Sequence, residues 1–156
     1  MGLAKGLGGG FPVGAILVSD KVAKSMEPGM HGSTFGGGPL ASAVAFSVLK
    51  EISKSSFLKN VNQMGTYLKK ELEKLVLSYP EKIISIKGKG LILGIECKKL
   101  NQAICDIARK KGLLLVAASN NVVRLLPPLI IKKKEIDIAL RILDETFKEV
   151  NWLEIL

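Results

Sequence analysis

The chain is poor in the residues that build metal and disulfide chemistry. Two cysteines, Cys97 and Cys105, and a single histidine occur among its 156 residues. The cysteine spacing fits neither a Cys-x-x-Cys motif nor a zinc ligand set, and one histidine does not complete a His-rich site. Free thiols in a reducing compartment are therefore expected. Aromatics are scarce as well, with two tyrosines and one tryptophan. They are not interleaved with the basic residues, which argues against a base-stacking platform for nucleic acid. No apolar run reaches the length of a membrane span, and the first residues are glycine-rich where a secretory leader would be basic and then apolar. A cytoplasmic protein, with neither membrane nor nucleic acid as partner, is the expectation.

Acid is also in short supply: 14 Asp+Glu stand against 23 Lys+Arg, a net charge of +9. Such a balance suits an anionic partner, but the bases are spread along the whole chain and read mainly as solvated surface. With 47% apolar and 24% charged residues the chain falls in the ordinary globular class. One domain or two small lobes is the natural reading, and no internal repeat is evident.

What the chain does have is glycine, concentrated in two loops. Leu3-Ala4-Lys5-Gly6-Leu7-Gly8-Gly9-Gly10-Phe11-Pro12-Val13-Gly14-Ala15 sets one lysine among residues without Cβ atoms, and His31-Gly32-Ser33-Thr34-Phe35-Gly36-Gly37-Gly38-Pro39 forms a second such loop. Glycines there can take positive φ and let a bulky group approach the backbone. The plain alternative is a flexible turn carrying a solvated lysine.

Between the loops, Val13 to Val18 reads as a buried strand and Asp20 to Lys24 as a helical turn. Pro39 opens a helix through Ile52 whose alanine-rich, apolar sequence predicts burial. A single strand has no partner, so residues 1–56 do not read as a lobe of their own. From residue 57 the pattern predicts an amphipathic helix over Leu58–Leu77 and strands at Ile83–Ile86 and Leu91–Cys97. A helix follows over Gln102–Lys111, then strands at Leu113–Val116 and Val122–Leu126, and a closing helix over Lys134–Val150. That order suits a small α+β lobe.

A lysine amine freed by desolvation or a nearby cation can attack a carbonyl and form a Schiff base, and a glycine-lined loop leaves room for a flat, phosphorylated aldehyde such as pyridoxal phosphate. Thr34 offers a hydroxyl among glycines near a helix start, where a phosphate is favoured. Arg124 sits among apolar residues before Pro127-Pro128. A structural role there, toward a backbone carbonyl or an acid, is the reading that its neighbours favour. His31 reads as a loop-orienting group.

These residues carry a resemblance. The Leu3–Ala15 segment is similar to the cofactor-lysine segment of class III pyridoxal-phosphate aminotransferases. His31-Gly32-Ser33-Thr34-Phe35, Lys87-Gly88-Lys89-Gly90-Leu91-Ile92-Leu93-Gly94-Ile95-Glu96 and Val123-Arg124-Leu125-Leu126-Pro127-Pro128-Leu129 resemble that family in the same order, closest to its acetylornithine and ornithine branch. The resemblance implies an α/β fold, the C-terminal portion of a type I pyridoxal-phosphate-dependent transferase, with residues 1–56 a remnant of the large domain and 57–156 the small α+β domain. It implies that Lys5 holds the cofactor and moves the substrate proton, that Thr34 bonds the cofactor phosphate across a homodimer, and that Ser33 and Arg124 contact substrate. The implied reaction moves an amino group from acetylornithine, or a related ω-amino acid, to 2-oxoglutarate. Gly38 stands where the family commonly has asparagine, and Lys87 where arginine is frequent. The large domain that precedes the lysine in the family has no counterpart here, so a truncated chain, inactive alone, is expected. The alternative is a non-catalytic interaction module, or half of a split enzyme that docks on a large-domain partner.

Overall fold

The computed structural model describes residues 1–150. The chain separates into two compact units, Met1–Leu58 and the remainder from Lys59. In the first, strands β1 (Gly2–Leu3) and β2 (Ala15–Ile16) pair antiparallel, Gly2 opposite Ile16 and Leu3 opposite Ala15. Between them lies a 3₁₀ turn, Lys5–Gly8, and after them come helices α1 (Asp20–Ala23) and α2 (Pro39–Ile52). Pro39 takes the first helical position, where its missing N–H leaves no bond unmade.

This unit departs from the sequence reading in three ways. The apolar run Val13–Val18 contributes only the two residues of β2 to a strand, and both are exposed. The strand is not alone, because Gly2 and Leu3 supply its partner. The third departure is α2, which contains no buried residue: Leu40 and Phe46 keep 65% and 69% of their surface in contact with solvent. Apolar composition predicts burial only when something covers the helix, and within this unit α2 packs on little more than the 3₁₀ turn. Leu7 is the unit's one buried large hydrophobic side chain.

The second unit has a core of its own. Helix α3 (Ser55–Ser78) leads into it, followed by β3 (Ile83–Lys89), β4 (Ile92–Cys97), α4 (Asn101–Lys110), β5 (Val116–Ala118), β6 (Val122–Leu125) and α5 (Lys133–Glu149). The four strands form one antiparallel sheet in the order β3-β4-β6-β5. Side chains along a strand alternate between faces, so Leu93, Ile95 and Cys97 of β4 and Val123 and Leu125 of β6 all enter the core. Leu68, Leu72 and Leu75 of α3, Ile104 and Cys105 of α4, and Ile136, Leu143 and Phe147 of α5 meet them there. Both cysteines are free and buried, and burial pushes the Cys97 thiol up to about 12. They are inert packing groups.

The strand expected at Leu113–Val116 begins instead at Val116. Val116 pairs with Arg124, and continuing that register would set Leu114 opposite Leu126, next to Pro127, which has no N–H to give a ladder. Leu113 and Leu115 serve the core without strand pairing.

Two contacts fix the unit's ends. Gly65 lets α3 lie directly on the β3–β4 turn: a Cβ there would stand 2.5 Å from the Gly90 carbonyl oxygen. At the far end Tyr79 stacks on Phe147 with ring centroids 5.6 Å apart, and its hydroxyl donates to Asp144 Oδ1 at 2.7 Å. Lys82 Nζ donates to the Phe147 carbonyl at 2.6 Å, supplying a cation and a donor where α5 exposes its last carbonyls. No described helix is long and apolar enough to cross a membrane.

Replacing Gly65 by alanine should force α3 off the turn and cost about 1–3 kcal/mol, read as a lower urea midpoint. The Asp144 carboxyl is held below its ordinary 3.8 by Lys148 and then by Tyr79. A depressed folded value means that this stabilisation is present above pH 3.8 and is lost as pH falls through the folded value. Asp144→Asn should therefore lower stability at neutral pH and flatten the loss on acidification, measured by circular dichroism across a pH series.

Candidate functional site

Lys5 opens the 3₁₀ turn with φ 57°, in the left-handed region. That conformation is uncommon outside glycine, and such residues cluster where function holds them. The sequence reading assigned positive φ to the neighbouring glycines. Gly9 and Gly10 do take it, but Lys5 shares it. The turn is pinned by backbone bonds, Leu7 N–H to the Ala4 carbonyl at 3.2 Å and Gly9 N–H to Gly6 at 3.1 Å. It is further fixed by packing: a Cβ on Gly8 would stand 2.8 Å from Val13 Cγ1, and one on Gly9 3.0 Å from Val48 Cγ2 of α2. Around Gly6 and Gly10, in contrast, nothing lies within 4 Å of where a Cβ would be. Lys5 is thus an exposed amine on a fixed backbone, with open space beside its neighbour Gly6. It forms no ion pair and no side-chain hydrogen bond among the described residues.

Two grooves flank the turn. One, of about 510 Å³, runs along Gly2–Ala4 and Gly14–Ile16, and His31 contributes to its lining. The other, of about 470 Å³, lies between the turn and α2 and is lined by Leu3, Leu7, Val13, Ala45, Phe46 and Leu49 among others. Neither lining contains a carboxylate.

Ser33 and Thr34 are exposed in the loop before α2, where Gly36 N–H bonds the Ser33 carbonyl at 3.2 Å and Gly38 N–H bonds Phe35 at 3.2 Å. The helix cap is Gly38, so Thr34 lies one turn upstream of the helix start and not at it. Its hydroxyl has no bond among the described residues.

Arg124 belongs to the second unit. It stands on β6 between the core residues Val123 and Leu125, which places its own side chain on the opposite face of the sheet, exposed. It makes no ion pair and no hydrogen bond to a carbonyl among the described residues, so the structural role weighed from sequence has no contact behind it. On the same face, Glu96 accepts from Ser85 Oγ at 2.7 Å and from Lys87 Nζ at 2.6 Å. Lys87, and then Ser85, hold the Glu96 carboxyl below its usual range. Sequence reading did not single out Glu96 or Ser85 for a role. Only the strand register brings them together, with Ser85 opposite Glu96 and Lys87 opposite Gly94.

The amine fits one end of a pyridoxal-type cofactor, whose aldehyde needs an accessible lysine with room beside it. The grooves beside the turn supply no carboxylate for a ring nitrogen, so these residues fit the cofactor's point of attachment and not its ring. The described residues hold no cluster of three or more His, Cys, Asp or Glu that could bind a metal ion.

Residues 1–147 match the family described as Aminotransferase class-III. The acetylornithine aminotransferase of Caldanaerobacter subterraneus is 45% identical over 97% of this chain, which spans 38% of that protein's length. Among solved structures, acetylornithine aminotransferase from Elizabethkingia anophelis matches with a TM-score of 0.83 at 32% identity, over 96% of this chain and 40% of its own. Ornithine aminotransferase from Toxoplasma gondii, described with pyridoxal phosphate partly occupying its active site, matches with a TM-score of 0.83 at 28% identity, over 94% of this chain and 36% of its own.

Proposed function

The chain belongs to the class-III aminotransferases, and from that premise we propose that it is the lysine-bearing and small-domain part of an acetylornithine-type aminotransferase. Residues 1–56 would then be the end of the cofactor-binding large domain and 57–156 the small domain. The observation that carries the reading is Lys5: an exposed amine in a strained conformation, on a pinned glycine turn with open space around it.

In this reading Lys5 Nζ would hold pyridoxal phosphate and, once the substrate amine has displaced it, would be the free amine that takes the proton from the substrate carbon and returns it. Thr34 donates its free hydroxyl to the cofactor phosphate across a homodimer, and Ser33 contacts substrate. Arg124 pairs a substrate carboxylate, for which the planar guanidinium fork is well shaped. When bound, the cofactor supplies an electron sink for the carbon that loses its proton. The amino group passes from acetylornithine, or a related ω-amino acid, to 2-oxoglutarate. The setting is cytoplasmic.

Lys5 alone does not make a catalyst. With no carboxylate in either groove beside the turn, the ring nitrogen has no charge partner there, and the electrostatic part of the rate enhancement is the largest one lost. We expect labelling without turnover. Incubation with pyridoxal phosphate, reduction with borohydride and peptide mass spectrometry should place the adduct on Lys5 ahead of the other lysines. The 156-residue chain mixed with acetylornithine and 2-oxoglutarate should form no glutamate. An adduct spread evenly over the lysines would overturn the cofactor assignment, and robust turnover by the chain alone would overturn the inactivity.

A second reading rests on α2. Its exposed Phe46 and Leu49, three positions apart and so on one face of the helix, form an apolar surface that a lone unit does not leave in water without cost. In this reading the unit docks on a polypeptide equivalent to the large domain of the relatives. Co-expression with that portion of a relative should give a co-purifying complex, which Phe46→Glu should abolish while leaving the helical signal of the chain unchanged.

A further inference from the structure

The face of the sheet turned away from the core carries its charges in a fixed grid. Because directly opposed residues share a face, Ser85, Lys87 and Lys89 of β3 line up with Glu96, Gly94 and Ile92 of β4, and these with Val122 and Arg124 of β6. Val116 and Ala118 of β5 complete the rows. Arg124 is directly opposite Gly94, so Glu96 is its diagonal neighbour. That spacing is roughly 7–8 Å between backbones and within reach of a long side chain. Gly94 has no side chain to stand between them, and a Cβ there would press to 2.7 Å from Val122 Cγ1. Nothing in the register prevents Glu96 from capturing Arg124. It is nevertheless bonded the other way, one oxygen to Ser85 and one to Lys87, and Arg124 is left without a partner among the described residues.

We propose that Lys87, assisted by Ser85, is a positioning residue that holds the Glu96 carboxylate away from Arg124 and so keeps the guanidinium open to an external carboxylate. This deepens the function proposed above and rests on Arg124 being the substrate's carboxylate partner. An arginine fork prefers a bidentate carboxylate. On a bare sheet face, then, the chain's own acid would compete with the substrate's at every encounter. Answering Glu96 from the β3 side removes the competitor without removing the acid. Lys89 and Lys87 also add positive charge to the same face, which favours an arriving anion.

The test uses the full chain with isotope labels that report the Glu96 carboxyl carbon and the Arg124 Nε–H by nuclear magnetic resonance. Without ligand, the Arg124 signal in the unmodified chain should ignore the titration of Glu96. In Lys87→Met it should follow that titration, and in Lys87→Arg it should not. With 2-oxoglutarate added, Lys87→Met should bind about two- to fivefold more weakly than the unmodified chain, the size of an exposed ion pair. Adding Glu96→Gln to Lys87→Met should restore the affinity. An Arg124 signal that stays blind to Glu96 in Lys87→Met overturns the positioning role. An Arg124 signal in the unmodified chain that does not move with 2-oxoglutarate overturns instead the carboxylate reading of Arg124, and the ligand-free titration still decides the role of Lys87.

Discussion

The missing side chain of Gly65 is the constraint on which the described geometry turns. Helix α3 can lie on the backbone of the Gly88–Gly90 turn only because no Cβ intervenes, and that approach presses the β3–β4 hairpin against the core. Gly88, at φ +116°, and Gly90, at φ +59°, then turn the chain in a conformation that other residues resist. Once the hairpin is fixed, the register of β4 follows from it and that of β6 from β4. Every charged group on the far face of the sheet takes its place from this sequence of contacts. A helix packing requirement on one side of the sheet thus sets an electrostatic pattern on the other.

The two units solve the problem of burial in opposite ways. The second closes its core on itself, with Leu72, Ile95, Ile104, Leu143 and Phe147 essentially out of water. The first leaves an apolar helix and a strained lysine exposed. Strain at Lys5 costs on the order of 1–3 kcal/mol, and it is tolerated because backbone bonds and the Gly8–Val13 contact fix the turn around it. An amine that must meet a ligand cannot be shielded by its own chain. The residues with chemistry to offer, Lys5, Ser33, Thr34 and Arg124, all face solvent, while the residues that hold them are backbone, glycine or core.

Much of the second unit could be read from periodicity. The helices at Ser55–Ser78, Asn101–Lys110 and Lys133–Glu149 lie within a few residues of where their apolar stripes place them, because each stripe is buried by the unit itself. Periodicity failed where burial depends on a neighbour. The runs at Val13–Val18 and along α2 have core-like composition and little cover within their unit, and composition carries no information about cover. The strand before Val116 failed for a local reason, the prolines after Leu126. At the site, the glycine-rich motifs pointed to Lys5 and Thr34, but not to the left-handed φ at Lys5, since a lysine in sequence gives no sign of taking a glycine's conformation. The pairing of Glu96 with Lys87 lies nine residues apart across a hairpin with a bulge between Ile83 and Ser85. Alternation counted from the buried Ile83 would misassign that face by one residue, and the register counted from the turn restores it.

That bulge decides more than a local irregularity. Ile83 faces Cys97 on the core side, and the extra residue Ile84 shifts the strand so that Ser85 meets Glu96 on the other. The pairs from the turn to Ser85 and Glu96 are regular, so without the shift it is Ile83 that would lose its place opposite Cys97 and turn away from the core. A two-fold alternation cannot place a buried isoleucine at Ile83 and a solvent-facing serine at Ser85 in one unbroken strand. The insertion of one residue reconciles them. The charge arrangement around Arg124 is therefore set from the turn by regular pairing, and one departure from strand geometry beyond it lets the same strand return Ile83 to the core.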